Sequence, residues 1–403
     1  MAKCIVLQIL IYYMNQLKRK RIESLDLLKG LVMVLMALDH TRDYFHVDAF
    51  FFDPTDPMQT NAGLFITRWI THYCAPAFCF LAGISAFLVG QNKTKKEGSV
   101  FLVKRGVWLV FIELSVVNFG WFFDIYFSTI ALMVIWSLGI SMIILAGLIH
   151  LPMKVILGGS LMVIFGHNFL DVFDSNQNLM WSIFHKFNFF SLDNGKTLVI
   201  GYPIIPWFAV MSLGYYFGKF YQSSVLPRKR KVWFNWIGVS AIGSFFILRF
   251  LNEYGNYSFW ERYETHSATL FSFFNPSKYP PSLMYLLMTL GPVFLILANS
   301  ENAKGKVVHF FAVFGKVPFF YYILHLFVIH ACALVAAQLT GYGWENMIIY
   351  DFVTLMPSLK GYGFSLPWVY LIWGSIITLL YPVCLQFSKY KANNKDKKWL
   401  SYF

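Results

Sequence analysis

The chain has 403 residues, of which 57% are hydrophobic, 20% aromatic and only 13% charged. Soluble domains carry about a quarter charged residues, so a soluble globular protein is excluded, and the apolar residues fall in blocks that reach the roughly 20 needed to cross a bilayer core. The formal charge of +13 does not mark a nucleic-acid partner, because the basic residues cluster in short connectors between apolar blocks, which is how membrane orientation is encoded.

In chain order, the apolar run CIVLQILIYY near the amino terminus is too short to span and lacks a cleavage site. Met14 opens a more natural start, MNQLKRKR, so this stretch reads either as an over-extended reading frame or as a short interfacial helix. Ten spans are predicted, at 25–45, 63–91, 101–123, 128–148, 153–171, 198–220, 233–251, 282–299, 309–338 and 366–388. The basic residues then alternate onto one side: Lys18 to Arg21 before the first span, Lys93, Lys95, Lys96, Lys104 and Arg105 between the second and third, Arg228 to Lys231 after the sixth, and Lys389 to Lys398 after the last. By the positive-inside rule that side is the cytoplasm and holds both termini. The opposite connectors carry Asp48, Asp53, Asp56, Asp171, Asp174 and Asp193. The fold class expected is therefore all-α, a polytopic membrane protein. Cys4, Cys74, Cys79, Cys332 and Cys384 show no metal-ligand spacing and read as membrane-buried thiols.

Ionisable side chains inside apolar spans cost about 2.5–3.5 kcal/mol each on insertion scales, so those that persist are candidates for function. The first span, SLDLLKGLVMVLMALDHTRDYFH, holds most of them. Asp26 and His40 lie about 40° apart on a helix of 100° per residue, with Lys29, Met33, Met36 and Asp43 on the same stripe. Asp43, three residues after His40, is placed to orient its imidazole, and Asp39 and Arg42 are spaced for an adjacent ion pair. In the second span Arg68 and His72 are one turn apart. Gly214 and Gly218 give the sixth span a small-xxx-small step for close helix contact. In the ninth, Tyr321 and Tyr322 precede His325 by about one turn, and Glu113 and Asn118 are weaker signals in the third. Against each stands a structural reading: a polar helix terminus at the headgroups for DHTRD, and buried histidines bonded to neighbouring helices for His72 and His325.

Ser24, Asp26, Gly30 and MALDHTRDYF in the first span, with APAFCFLAGISAFL in the second, resemble bacterial membrane proteins related to the catalytic domain of heparan-alpha-glucosaminide N-acetyltransferase. YPIIPWFAVMSLGYYFGK, YPPSLMYLLMTLGP and FGKVPFFYYILHL extend the resemblance over most of residues 21–388. Asp26, Lys29 and His40 are also similar to the opening pattern of the wider transmembrane acyltransferase superfamily, in which the histidine is implicated in acyl transfer. The lysosomal heparan enzyme is similar here but has an asparagine where His40 stands and a catalytic histidine in the next loop, where His46 is the nearest counterpart.

The resemblance implies an acyltransferase that moves an acetyl or other acyl group from cytosolic acyl-coenzyme A to an extracytoplasmic glycan or related acceptor, with no metal needed. His40, Asp43 and His46 are then the catalytic candidates; Asp26, Arg42, Arg68, His72 and His325 the substrate-binding ones; and Lys29, Lys104 and Arg105 face the coenzyme phosphates. Residues 1–21 form a basic extension, 22–390 a single integral membrane domain in a bacterial inner membrane, and 391–403 a cytoplasmic tail. The alternative is a proton-coupled transporter or flippase in which His40, Asp43 and Arg68 bind the cargo; a scaffold without chemistry is a third.

Overall fold

The computed structural model describes residues 22–173, 178–193, 195–350 and 356–402. The amino-terminal extension, Cys4 and Asp174 lie outside them. In chain order the helices are α1 (Glu23–Phe45), α2 (Ala62–Thr71), α3 (Cys74–Gly90), α4 (Lys95–Ile112), α5 (Asn118–Phe122), α6 (Val134–Leu148), α7 (Met153–Gly166) and α8 (Leu179–Phe184). They continue with α9 (Ile204–Gly218), α10 (Pro227–Leu251), α11 (His266–Phe274), α12 (Leu283–Asn299), α13 (Lys306–Lys316), α14 (Pro318–Leu339) and α15 (Leu366–Asn393).

Five helical stretches are long and apolar enough to cross a membrane: Ala62–Gly90, Met153–Val172, Pro227–Leu251, Pro318–Leu339 and Leu366–Asn393. α1 is too charged to join them by composition. It lies instead at the centre, packed by α2, α3, α12, α13, α14 and α15, and is buried nearly all round. Its charges are therefore surrounded by protein, the arrangement that makes them tolerable within a membrane.

Two helix pairs approach so closely that only glycine fits. A Cβ on Gly30 would overlap the Phe311 carbonyl of α13, and one on Gly315 the Asp26 carbonyl of α1. Gly83 of α3 and Gly214 of α9 meet backbone in the same way, with Gly218 against the Phe87 side chain, as the small-residue step predicts. Gly214→Val is expected to force α9 off α3. Overpacking costs about 1–3 kcal/mol or more, to be read as a lower melting temperature and loss of the monodisperse peak in detergent. An unchanged melting curve would mean the crossing is loose.

Two sequence expectations are corrected. The chain is not wholly helical: β1 (Thr129–Leu132) pairs in parallel with β3 (Thr197–Ile200), which pairs antiparallel with β2 (Asn188–Ser191). The first residues of the spans predicted at 128–148 and 198–220 are thus strands. The span predicted at 309–338 is two helices, because Pro318 opens α14 and Val317 before it leaves helical geometry. Cys74, Cys79 and Cys384 are buried within the protein, and Cys332 is at the surface of α14, one of the helices long and apolar enough to cross a membrane.

Glu113 and Asn118 explain how the sheet meets the bundle. They flank a π-helical turn, Glu113–Val117, between α4 and α5. Asn118 Oδ1 accepts from the Ala131 amide at 2.6 Å and its Nδ2 donates to the Ala131 carbonyl at 3.0 Å, which pins β1. The Glu113 carboxylate accepts from the Trp136 amide at 3.1 Å, in the first turn of α6, where the orphan amides of a helix start favour an anion.

Candidate active site

His325 follows Tyr321 by one turn on α14, and its Nδ1 lies 2.8 Å from the Tyr321 carbonyl oxygen. A carbonyl only accepts, so Nδ1 carries the proton and Nε2 presents a lone pair. That lone pair lies 2.9 Å from His40 Nδ1, so His40 Nδ1 is in turn the donor. The imidazole pair fixes His40 in its Nδ1–H form and leaves Nε2 a bare acceptor, the state a general base needs. Trp121 holds the His40 ring from the side, edge-on at 4.6 Å between centroids, and Tyr44 in turn donates to the Trp121 carbonyl at 2.6 Å.

Directly before His40 in the chain, Asp39 stands between two guanidinium groups. Arg42 Nη1 is 3.0 Å from its Oδ1, and Arg68 Nη1 is bonded to its Oδ2. Arg42 also binds Asp43. The ion pair predicted between Asp39 and Arg42 is therefore present, and Arg68 is brought into it from α2. Asp43 does not orient His40. Its carboxylate is taken by the neighbouring Arg42, and His325, remote in sequence, supplies the partner instead.

These groups line a cavity of about 340 Å³ that opens among Asp39, His40, Asp43, Arg68, Lys278 and Tyr279. Lys278 and Tyr279 come from the connector before α12, which folds over the site. Lys278 lies within electrostatic reach of Asp39 and His40 and 5.1 Å from the Tyr279 ring centre. Burial raises the Tyr279 phenol, but the Lys278 and Arg68 charges outweigh it and hold it below its ordinary value. Neither residue stood out in the sequence as chemistry, although a lysine and a tyrosine directly before two prolines is a rigid way to present both.

A second cavity, of about 270 Å³, lies at the Lys29 end of α1. Lys29, Arg105, Lys316 and Lys391 line it together with apolar side chains such as Met33 and Phe101. Lys29 Nζ donates to Ser85 Oγ at 2.9 Å, and Arg105 Nη1 donates to the Ser401 carbonyl at 2.5 Å. Lys398–Tyr402 thus packs back onto the body, with Tyr402 5.0 Å from the Trp108 ring. Met36, Phe78, Val134 and Tyr322 line both cavities and form the wall between them, beside His40. Lys29 and His40 are eleven residues apart on one helix, about 16 Å along its axis.

Five predicted residues line neither cavity; His325 is one of them and reaches the site only through His40. His46 caps α1 and bridges to Phe364. Its Nδ1 accepts from the Asp48 amide at 3.2 Å, and burial pushes its imidazole below the ordinary value, which Asp48 offsets only in part. His72 faces Tyr285, whose hydroxyl donates to the His72 carbonyl at 2.7 Å. Asp26 lies at the crossing of α1 and α13, its carbonyl facing Gly315. Lys104 is on the exposed face of α4, one residue from Arg105. His330 lies between the Gly120 and Met347 carbonyls, 3.0 and 2.9 Å from its two ring nitrogens, and donates its N–H to one of them, a structural role.

The profile of the family described as heparan-alpha-glucosaminide N-acetyltransferase, catalytic, matches residues 21–261. The chain belongs to this family. No individual curated protein matches it. Membership in the heparan-alpha-glucosaminide N-acetyltransferase catalytic family makes the chain a membrane acetyltransferase. The matched segment contains His40, the Asp39 ion network and the Lys29 and Arg105 end of the second cavity. Lys278, Tyr279, Lys316 and His325 lie beyond it and complete the site from the carboxy-terminal third of the chain.

Proposed function

We propose that the chain moves an acetyl group from cytosolic acetyl-coenzyme A, held in the Lys29 cavity, to an amino-sugar acceptor of a glycan that enters the Asp39 cavity from the other side of the membrane. In this reading the ten predicted spans cross the membrane with both termini cytoplasmic, so the lysine- and arginine-lined cavity opens toward the coenzyme and the membrane is the inner membrane of a bacterium. The observation that carries the proposal is the wall of side chains, Met36, Phe78, Val134 and Tyr322, that the two cavities share beside the bare Nε2 of His40.

The residues of the donor cavity suit the coenzyme. Its volume is near the lower end of ligand pockets, right for a narrow arm with an acyl end, and Arg105 and the lysines supply cations for phosphates left at the mouth. The acceptor amine attacks the thioester carbonyl, a C–N bond forms and the C–S bond breaks. His40 Nε2 takes the proton from the nitrogen and returns it to the departing coenzyme sulfur, so the enzyme ends as it began. Lys278, above the site, is suited to the negative charge that builds on the carbonyl oxygen.

Release of free coenzyme A by the detergent-purified protein, given acetyl-coenzyme A and glucosamine, tests this directly. Arg105→Ala is expected to raise KM for acetyl-coenzyme A about tenfold, as loss of one charged phosphate contact does, and to leave KM for glucosamine in place. Absence of any acetyl-coenzyme A binding by calorimetry would instead favour a transporter.

A further inference from the structure

After α15 ends at Asn393, the chain turns back toward the donor cavity. The Lys397 amide donates to the Asn394 carbonyl at 3.2 Å and the Leu400 amide to the Lys397 carbonyl at 3.1 Å. The returning segment is a single helical turn, Lys398–Tyr402, held to the body at three points. Leu400 is buried. Tyr402 lies 5.0 Å from the Trp108 ring, and Trp108 lies 4.9 Å from Phe319, which lines the donor cavity. The third point is polar: the Ser401 carbonyl accepts from Arg105 Nη1 at 2.5 Å. Ser401 and Arg105 both line the cavity, as does Lys391 near the end of α15.

A segment that only completed the fold would need no more than Leu400 and Tyr402. The bond to Arg105 does something further, because it takes hold of a cation of the donor site. An arginine carries five N–H donors in a rigid fork, and its long side chain loses rotamer freedom when it grips a phosphate. The Ser401 carbonyl occupies a donor on Nη1 and leaves others for an anion. The guanidinium is thereby aimed before a ligand arrives, which lowers the ordering cost of binding.

We infer that Lys398–Tyr402 is a strap belonging to the donor site: it aims Arg105 at the coenzyme phosphates, so that docking of the strap and binding of the coenzyme stabilise each other. Leu400, Ser401 and Tyr402 are then positioning residues that act through Arg105. This rests on acetyl-coenzyme A as the occupant of the Lys29 cavity, proposed above. The family match ends at residue 261, so the strap is a part of the site that the matched segment does not contain.

Calorimetric titration of the detergent-purified protein with free coenzyme A tests the strap without requiring turnover. Leu400→Asp, which puts a charge at the buried anchor, and Tyr402→Ala are each expected to weaken binding about tenfold, the size of effect expected for Arg105→Ala. Either one serves if the other does not fold. Tyr402→Phe keeps the ring against Trp108 and is expected to bind as the wild type does. Leu400→Asp placed on Arg105→Ala should weaken binding no further than Arg105→Ala alone, since the strap acts through that arginine. In turnover, Leu400→Asp and Tyr402→Ala should raise KM for acetyl-coenzyme A and leave kcat and KM for glucosamine in place, a split that general destabilisation would not produce. Wild-type affinity in both single variants, or losses that multiply in the double variant, overturns the strap while coenzyme binding stands. No binding of coenzyme A by the wild type overturns the donor site and the strap together.

Discussion

His40→Ala is expected to lower kcat for acetyl transfer by about 10²–10⁴-fold, the usual worth of a positioned general base, while calorimetric binding of acetyl-coenzyme A stays near the wild-type value. The separation of rate from binding follows from position. His40 lines the acceptor cavity and reaches the donor cavity only across the shared Met36 and Tyr322 wall. His46→Ala is the informative companion. Its side chain accepts the Asp48 amide, which orders the turn after α1 outside the cavity lining, so the variant should lose thermal stability and keep its kcat. The opposite pattern, with full activity in His40→Ala and loss in His46→Ala, would transfer the catalytic role to His46 and leave the His40–His325 pair structural.

The pair also separates a base from a group that positions it. His325→Phe removes the acceptor that selects the His40 tautomer, and partners that orient a reacting group in this way are worth about 10–100-fold. The double variant should be no worse than His40→Ala, since His325 acts only through His40.

What the sequence made legible was largely confined to α1. A helix stripe is read reliably over its own length, so His40, Asp39, Arg42 and Lys29 were identifiable from spacing and from the cost of charge among apolar neighbours. The stripe does not say what faces it. Asp26 and His40 share a face, yet Asp26 meets the α13 crossing and His40 meets α14, because one long helix contacts different partners along its length. Asp43 had the spacing to orient His40, but an arginine one residue away captured it.

The remaining pieces arrive through tertiary contact alone. His325 is hundreds of residues from His40 in the chain, and Lys278 and Tyr279 sit in a connector with no period to read. The sheet was hidden for another reason. Its strands TIAL, NFFS and TLVI are four residues each, and so short an apolar run cannot be told from the end of a span by pattern.

Asp39→Asn is expected to be the most destabilising single change in the site. It keeps the shape of the side chain but removes the charge shared by two buried guanidinium groups. Breaking a buried ion pair from one side costs about 3–5 kcal/mol, because the remaining charge stays buried without compensation. Arg42 retains Asp43, so the loss falls mainly on Arg68, which Asp39 alone engages among the described salt bridges. The melting temperature in detergent should drop clearly, and Arg68→Met placed on Asp39→Asn should restore part of it, a non-additivity that two independent sites would not show. Added salt should change little, since screening acts on exposed charges and these are enclosed. If Asp39→Asn melts like the wild type but no longer acetylates glucosamine, the network serves the acceptor and not the fold, and Arg68 becomes a substrate contact held ready by its carboxylate.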